Sequence, residues 1–237
     1  MTGPVVPPAP LVRLEGITKV FDGSGHPTTA VRDVSLEVGP GEMVLLMGPS
    51  GSGKTTLLTL IAGLVRPTSG RVTLFGRPVE KCSARELQEL RAGRIGFVFQ
   101  TFLLLDALTV AENVEIALRF GRTRRAGRAA KARALLLELG VGHLAGRFPC
   151  ALSQGEKQRV AIARALANGA GLVIADEPTG SLETRQAVGI IELLHEQARQ
   201  RNAAVVVASH DLRLKDHADR TLYIRDGALA RFDNEAL

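Results

Sequence analysis

The most informative segment of this 237-residue chain is a glycine-rich octapeptide with the pattern G-x-x-x-x-G-K-[ST]. It reads Gly48-Pro49-Ser50-Gly51-Ser52-Gly53-Lys54-Thr55, with Thr56 directly after it. The apolar run EMVLLMG before it favours a strand buried on both faces, and TTLLTLIAGLV after it has helical spacing. Glycines let successive N–H groups point inward and hold phosphate oxygens at a helix N-terminus. The segment therefore predicts a nucleoside triphosphate site, with Lys54 at the β- and γ-phosphates and Thr55 on Mg²⁺. The alternative is a glycine turn that only caps a helix.

A second element is needed to hold Mg²⁺ and activate water, and a pair of carboxylates fits that need. The apolar run LVIAD, predicted to be a strand, ends in Asp176, and Glu177 follows. Carboxylates at the tip of a parallel strand lie in the crevice where such folds bind ligands. Asp176 is placed to reach Mg²⁺ directly or through water, and Glu177 to orient or deprotonate the attacking water. Two solvated acids at the start of a loop are the alternative.

Length and composition exclude several classes of protein. A chain of 237 residues with 45% hydrophobic and 23% charged residues is typical of one globular α/β domain. No apolar run approaches the roughly 18 residues that span a bilayer, so an integral membrane protein is not expected. Cys82 and Cys150 are too few and too poorly spaced for a disulfide framework or a zinc site.

Positive charge is concentrated in one window of the chain. The formal net charge is +6, and no acid lies between Glu115 and Glu138. The cations of this window are Arg119, Arg122, Arg124, Arg125, Arg128, Lys131 and Arg133. Because the excess is local and the chain has no Trp and one Tyr to stack on bases, nucleic acid is not an expected partner. A solvated face is one interpretation of the window, and contact with anionic lipid headgroups or an acidic partner is the other.

The order of apolar patterns divides the chain into a tail and one domain. Residues 1–10 hold four prolines and no charged side chain, which predicts a disordered tail. Strand and helix patterns alternate over 11–100 and over 168–237, whereas about 101–167 shows helical patterns alone. The helices predicted there are Val110–Phe120, Arg128–Gly140 and Gln154–Ala167. The expected fold is α/β, a single domain over 11–237 with a mainly parallel core sheet, an N-terminal antiparallel β region and an inserted helical subdomain.

A third motif, Leu152-Ser153-Gln154-Gly155-Glu156, opens a predicted helix ahead of the two carboxylates. With these motifs in this order, the sequence resembles the ATP-binding subunits of ABC transporters over nearly the whole chain. The resemblance implies a P-loop NTPase fold of the ABC ATPase type, with ATP and Mg²⁺ as ligands. It also implies that Ser153, Gln154, Gly155 and Glu156 face the nucleotide held by the other subunit of a dimer. Ser153 and Glu156 satisfy the capping box S-x-x-E as well, and the two interpretations are compatible.

Three further residues take their roles from the resemblance alone. Gln100, which ends RIGFVFQ, is similar to the glutamine that senses Mg²⁺ and joins the core to the helical block. His210, which ends VVVASH, is similar to the switch histidine at the γ-phosphate and would be catalytic together with Glu177. Phe21 is similar to the aromatic residue that stacks on adenine. The residues expected at the metal are Thr55, Gln100 and Asp176.

Two positions depart from the family pattern. Gln154 stands where the usual signature has its first glycine, while Gly155 keeps the second. Ser181-Leu182-Glu183 stands where the family usually has Leu-Asp in a loop that crosses the dimer interface. Glu183 keeps the charge on a side chain that is one methylene longer. These departures bear on cross-dimer geometry and turnover rather than on nucleotide binding.

The stretches FVFQTFLLLDALTVAENV and ADEPTGSLE are most similar to the group of lipoprotein-releasing and macrolide-exporting ATPases. The resemblance implies a peripheral subunit at the cytoplasmic face of the cell membrane, a second copy of the chain as partner, and a separate integral-membrane permease. The region Thr101–Val114 would receive the permease. Its apolar residues Phe102, Leu103, Leu104 and Leu105 are equally compatible with ordinary core.

Three other classes of protein carry related motifs. A chromosome or DNA-repair ATPase would require a long coiled coil between Lys54 and Ser153, and that interval shows no sustained heptads. A P-loop kinase would have no use for the signature helix. A non-transporting ATPase that regulates a cell-wall enzyme through a membrane partner would carry the same motifs and stays open.

Overall fold

The computed structural model describes residues 9–22, 26–121 and 123–230, except for the side chain of Thr184. These residues contain two sheets and six α-helices. The strands are β1 (Val12–Asp22), β2 (Pro27–Val38), β3 (Met43–Met47), β4 (Ser69–Leu74), β5 (Arg77–Pro78), β6 (Ile95–Phe99), β7 (Leu172–Asp176), β8 (Ala204–Ser209), β9 (Arg220–Arg225) and β10 (Ala228–Ala230). The helices are α1 (Lys54–Ile61), α2 (Ala84–Arg94), α3 (Val110–Phe120), α4 (Arg125–Glu138), α5 (Gln154–Leu166) and α6 (Thr184–Arg201).

The sheets differ in strand direction. The larger sheet has the order β10-β9-β3-β8-β7-β6, in which every neighbouring pair is parallel except the edge pair β10 and β9. The smaller sheet, β2-β1-β4-β5, is antiparallel. The predicted α/β class, with a mainly parallel core and an N-terminal antiparallel region, is confirmed.

The larger sheet is buried on both faces, as its apolar runs predict. Along β3, Met43, Leu45 and Met47 pack into one core cluster together with residues of α3, α4, α5 and α6. The alternate residues Val44 and Leu46 pack into a second cluster with α1, α2 and the antiparallel sheet. Because β3, β7 and β8 are parallel, their carboxyl ends lie at one edge of the sheet. The phosphate loop, Glu177 and His210 follow these ends, whereas Gln100 follows β6 and the signature motif opens α5.

The helical segment between β6 and β7 consists of α3, α4 and α5. Helix α3 has the predicted bounds, and Thr109 caps it in a capping box with Glu112. Helix α4 begins at Arg125, three residues before the predicted start, and ends at Glu138. Of the predicted N-terminal tail, residues 1–8 lie outside the described residues.

Candidate nucleotide-binding site

The phosphate loop, Gly48–Thr55, joins β3 to α1 and is crowded by neighbouring backbone. Gly51 and Gly53 have φ angles of 78° and 107°, in the left-handed region. A Cβ atom on Gly53 would lie 2.3 Å from the carbonyl oxygen of Ala30 on β2. The loop therefore requires glycine at this position for both its backbone angle and its space.

The Lys54 side chain folds back over the loop. Its Nζ donates hydrogen bonds to the carbonyl oxygens of Gly48 at 2.7 Å and Pro49 at 3.0 Å, and the residue is only 8% exposed. Because both acceptors are neutral, the hydrogen bonds fix the ammonium group in position without neutralising its charge. The arrangement suits the binding of phosphate oxygens.

The N-terminus of α1 is open to an anion. Gly53 is the N-cap without a side-chain hydrogen bond, and the first turn of α1 contains no acid. The free N–H groups and the helix dipole there favour negative charge. Ser52 supports this interpretation, because it is buried and its Oγ has no hydrogen-bond partner among the described residues. An unpaired buried hydroxyl and an uncapped helix together fit a phosphate site.

Thr55 and Asp176 meet where α1 begins and β7 ends. The Thr55 hydroxyl donates a hydrogen bond to Asp176 Oδ2 at 3.0 Å. Burial raises the pKa of Asp176 above its ordinary value, and the hydrogen bond from Thr55 opposes that shift. Hydroxyl and carboxylate oxygens are the ligand types that Mg²⁺ prefers, so this donor set fits the predicted metal.

Glu177 lies in contact with His210. The Glu177 backbone has a φ of 48°, a strained value for a residue with a side chain, and its N–H donates to the Ala208 carbonyl oxygen at 2.9 Å. Glu177 Oε1 lies 3.0 Å from His210 Nδ1, and the Ser209 hydroxyl donates to Oε2 at 3.5 Å. The Glu177 side chain is 19% exposed and that of His210 is 71% exposed. The two predicted catalytic residues are thus in contact, with the carboxylate inside and the imidazole facing solvent.

Gln100 lies close to the turn that follows Glu177. A Cβ atom on Gly180 would come within 2.7 Å of Gln100 Nε2, which places the amide directly against this turn. The turn itself is closed by the Gly180 N–H, which donates to the Glu177 carbonyl oxygen at 3.1 Å. Among the described hydrogen bonds, none joins Gln100 to Asp176 or Thr55, so its predicted metal role rests on the resemblance.

Phe21 occupies an exposed position on the antiparallel sheet. It is 43% exposed, and Lys19 Nζ lies 4.9 Å from the centre of its ring. Phe21 is paired with Thr28 of β2, two residues before the Ala30 carbonyl that crowds Gly53. The ring is thus partly exposed on the strand pair that borders the phosphate loop, and its stacking on adenine stays a prediction.

The signature segment, Leu152–Glu156, has a well-formed helix N-terminus. Ser153 is the N-cap of α5, its Oγ accepts a hydrogen bond from the Glu156 N–H at 3.4 Å, and the Glu156 carboxylate accepts from the Ser153 N–H at 2.7 Å. The hydrogen bond from the Ser153 hydroxyl lowers the pKa of Glu156 below its ordinary value. Ser153 and Gln154 are exposed. No described hydrogen bond joins this segment to the phosphate loop of the same chain.

Arg164 on α5 joins this helix to the segment after Gln100, a role that the sequence analysis did not predict. Its guanidinium donates to the carbonyl oxygens of Phe102, at 2.6 Å, and Leu103. These two residues follow Gln100 and have φ angles of 58° and 49°. Burial lowers the pKa of Arg164. A single cation inside the apolar run VAIARAL was the available signal, since a buried arginine requires partners.

The segment after Gln100 is divided between core and surface. Phe102 is 8% exposed and Leu104 packs against the core, whereas Leu103 and Leu105 are 54% and 46% exposed. Core and surface positions thus alternate along this apolar run, and contact of Leu103 and Leu105 with a permease stays a prediction. Beside it lies a groove of about 330 Å³, whose lining includes Phe97, Phe99, Leu103, Phe120, Arg164 and Asn168.

The fold and the site define a P-loop ATPase. A parallel strand delivers the phosphate loop, a second strand delivers the Asp-Glu pair, and a helical block carries the signature segment. Residues 31–180 match the family described as ABC transporter. The chain belongs to the ABC transporter family, as one of its ATP-hydrolysing, ATP-binding subunits.

Two curated relatives agree with this assignment. The chain is 41% identical over 220 residues to the lipoprotein-releasing system ATP-binding protein LolD 2 of Caulobacter vibrioides, covering 93% of this chain and 96% of that protein. It is 39% identical over 220 residues to the macrolide export ATP-binding/permease protein MacB of Agrobacterium fabrum. In the second case the match covers 93% of this chain but only 34% of the relative's length.

A solved structure supports the same fold and a dimeric state for a relative. The chain superposes with a TM-score of 0.84 and 37% identity on the ATP-binding cassette MJ0796, covering 93% of this chain and 97% of that one. That structure is dimeric, represents a post-hydrolysis state, and contains ADP and Pi.

Proposed function

We propose that two copies of this chain close head to tail around two MgATP and drive a separate membrane permease from the cytoplasmic face. One observation carries the proposal. The phosphate loop, Asp176, Glu177 and His210 lie on one carboxyl edge of the larger sheet, whereas the signature segment is exposed and has no described hydrogen bond to that loop. Each nucleotide-binding site would then be completed by the signature segment of the other copy.

The chemistry divides among the residues of one chain. Lys54 and the N–H groups of the loop bind the β- and γ-phosphates. Mg²⁺, which Thr55 and Asp176 would hold with Gln100 nearby, supplies positive charge to the phosphate oxygens when bound. Glu177 orients the attacking water and accepts its proton, and the contact with His210 keeps the carboxylate in place.

A permease is the partner that the exposed surface supports. The exposed side chain of Leu103 lines the same groove as Phe120, and Leu105 is exposed two residues further along the chain. This apolar surface suits an apolar cytoplasmic segment of another protein. No described helix of this chain is both long and apolar enough to cross a bilayer. The named relatives are a lipoprotein-releasing ATP-binding protein and a macrolide export ATP-binding/permease protein, so export, lipoprotein release and mechanical transmission are the functions proposed.

Glu177→Gln tests the nucleotide cycle. The variant should bind ATP, lose at least about 100-fold in turnover because no carboxylate accepts the proton, and accumulate as an ATP-dependent dimer. Phosphate release and size-exclusion chromatography with and without ATP measure both effects. Glu89→Gln, which removes an exposed acid on α2, is the matched control and should behave as wild type. Normal turnover of the Glu177 variant would overturn the role of this residue as base.

The same variant identifies the membrane partner. Glu177→Gln would be expressed in its native cell, locked with ATP, and purified from solubilised membranes together with the proteins bound to it. A permease with a large extracytoplasmic domain supports the proposal. A cell-wall hydrolase in the complex would replace transport by regulation, and a dimer without any membrane protein would contradict both functions.

A further inference from the structure

The basic window of the sequence forms an unpaired cationic surface. Five of its cations lie at or in α4, and among the described residues none of the five takes part in an ion pair. They are Arg124, Arg125, Arg128, Lys131 and Arg133. Arg128 donates one hydrogen bond, to the Thr123 carbonyl oxygen at 3.1 Å. Arg122 lies outside the described residues.

The cations lie on a part of α4 that the core does not cover. The first buried residue of this helix is Ala132, so its first seven residues contribute nothing to the core. Arg124, Arg128 and Lys131 follow at spacings of four and three and form one stripe, and the next member of the same stripe is the buried Leu135. The first two turns of α4 therefore continue the buried side of the helix with cations in place of leucine, of which Arg124 and Lys131 are exposed and Arg128 is half-buried.

This arrangement is unfavourable in the isolated chain. Cations in the first turn oppose the helix dipole, the N-cap Arg124 makes no capping side-chain bond, and no acid lies in the first turn. Like charges at spacings of three and four also repel one another. A surface of negative charge would relieve all of these effects.

The stripe begins four residues after Phe120, a lining residue of the groove assigned to the permease. Phe120, the last residue of α3, is 72% exposed and lines that groove. It also lines a neighbouring cavity of about 630 Å³ together with Gly121, and α4 begins four residues after Gly121. A permease seated in the groove would bring this rim next to the membrane surface, so the argument rests on the function proposed above.

We propose that the lipid-facing surface, defined as Phe120, Arg124, Arg128 and Lys131, binds the phosphate headgroups of anionic phospholipids. Guanidinium and ammonium groups pair with lipid phosphates, and an exposed phenylalanine is suited to the boundary between headgroups and acyl chains. Nucleic acid is the poorer fit, because the chain has no Trp and a single Tyr for stacking on bases.

The test measures binding of the full chain to vesicles. Wild-type protein should co-sediment with vesicles that contain phosphatidylglycerol and phosphatidylcholine, but not with pure phosphatidylcholine, and high salt should abolish binding. Each cation near an anionic surface accounts for about a fivefold change in partition. The triple variant Arg124→Gln/Arg128→Gln/Lys131→Gln should therefore bind about 100-fold more weakly.

A second triple variant tests whether vesicle binding depends on the position of the cations or only on the net charge of the chain. Arg13→Gln/Arg71→Gln/Arg85→Gln removes the same charge from exposed arginines that pair with glutamates elsewhere on the chain. It should retain binding within about threefold of wild type. Equal loss in both triples, absence of binding to anionic vesicles, or tighter binding to a DNA duplex than to vesicles at equal phosphate concentration would each overturn the proposal.

ATP-dependent dimerisation and ATPase activity are measured in parallel, so that a failure of the lipid proposal can be told apart from a failure of the proposed ATPase function. In the background of Glu177→Gln, the α4 triple variant should still form the ATP-dependent dimer, and alone it should retain ATPase activity without vesicles. A variant that dimerises but does not bind vesicles supports the lipid-facing surface. Loss of ATP-dependent dimerisation in the triple variant would instead assign α4 a structural role and overturn the lipid assignment.

Discussion

The phosphate loop and the signature segment are the two half-sites that we propose for phosphate, and each lies at a helix N-terminus, but they are built in opposite ways. In the phosphate loop, Lys54 is buried and Gly53 has no space for a Cβ atom. In the signature segment, Ser153 and Gln154 are exposed, and a Cβ atom on Gly155 would find Gln186 Oε1 at an ordinary 3.5 Å. The phosphate loop is therefore shaped by its own chain, whereas in our proposal the signature segment is constrained by the nucleotide of the other copy.

The largest effect should follow substitution in the crowded half-site. Gly53→Ala places a methyl group 2.3 Å from the Ala30 carbonyl oxygen at a φ of 107°. Relief of the clash requires the backbone to move, at a cost of about 3 kcal/mol or more. We expect the melting temperature of the nucleotide-free chain to fall by about 6–12 °C. ATP affinity should fall more than about 100-fold because the N–H groups of the loop are displaced.

Gly51→Ala is the matched control for Gly53. Its φ is 78°, and an added Cβ atom would meet nothing within 4 Å. Only the backbone strain remains, about 1 kcal/mol, so the nucleotide-free chain should melt within about 4 °C of wild type. Equal destabilisation by the two alanines would show that crowding by β2 does not shape the loop.

An intermediate effect should follow loss of the hydrogen bonds that join α5, the helix of the signature segment, to the segment after Gln100. Arg164→Met keeps the apolar stem but removes the hydrogen bonds to the Phe102 and Leu103 carbonyl oxygens. We expect a loss of about 2 kcal/mol in the free energy of unfolding, as for other hydrogen bonds from a charged donor. The segment after Gln100 should open, and chymotrypsin should cleave it faster, as measured by limited proteolysis and mass spectrometry.

Arg159→Met is the control for this link, on the same helix. Arg159 Nη1 donates to the Leu139 carbonyl oxygen at 3.1 Å and makes no described bond to the segment after Gln100. Its loss should lower stability without faster cleavage near Leu103. If both variants are cleaved equally fast near Leu103, cleavage reports overall stability and Arg164 has no special role in holding the segment.

These differences also explain which features were predictable from sequence. The phosphate loop and the strand ending at Asp176 combine local backbone requirements with apolar runs, so their pattern is visible in a few adjacent residues. The start of α4 was predicted three residues late, because Arg124 and Arg125 lack the capping and acidic residues that mark a helix N-terminus. Arg164 depends on a contact 62 residues away in sequence, at Phe102, which no local pattern encodes.

The alternation after Gln100 was unpredictable for a similar reason. Phe102, Leu103, Leu104 and Leu105 are all apolar, so neither period nor composition separates the buried from the exposed. The left-handed backbone at Phe102 and Leu103 turns neighbouring side chains to different sides. Tertiary contacts from α5 hold that conformation, so the division between core and surface is a property of the fold rather than of the segment.

The smallest effect on stability should come from the signature segment, where a substitution can abolish dimerisation without lowering the free energy of unfolding. Gly155→Ala fits its space and lies in a helix, so it should raise the free energy of unfolding by up to about 1 kcal/mol. In the background of Glu177→Gln it should nevertheless lose the ATP-dependent dimer, because the methyl group would face the nucleotide of the other copy. Gln154→Gly is exposed at the first helical position and should lower stability by less than about 1 kcal/mol while keeping the dimer. Urea unfolding and size-exclusion chromatography measure both quantities. A Gly155→Ala chain that dimerises as well as its parent would show that the signature segment does not close over phosphate, and the exposed half-site would then have no constraint from a partner.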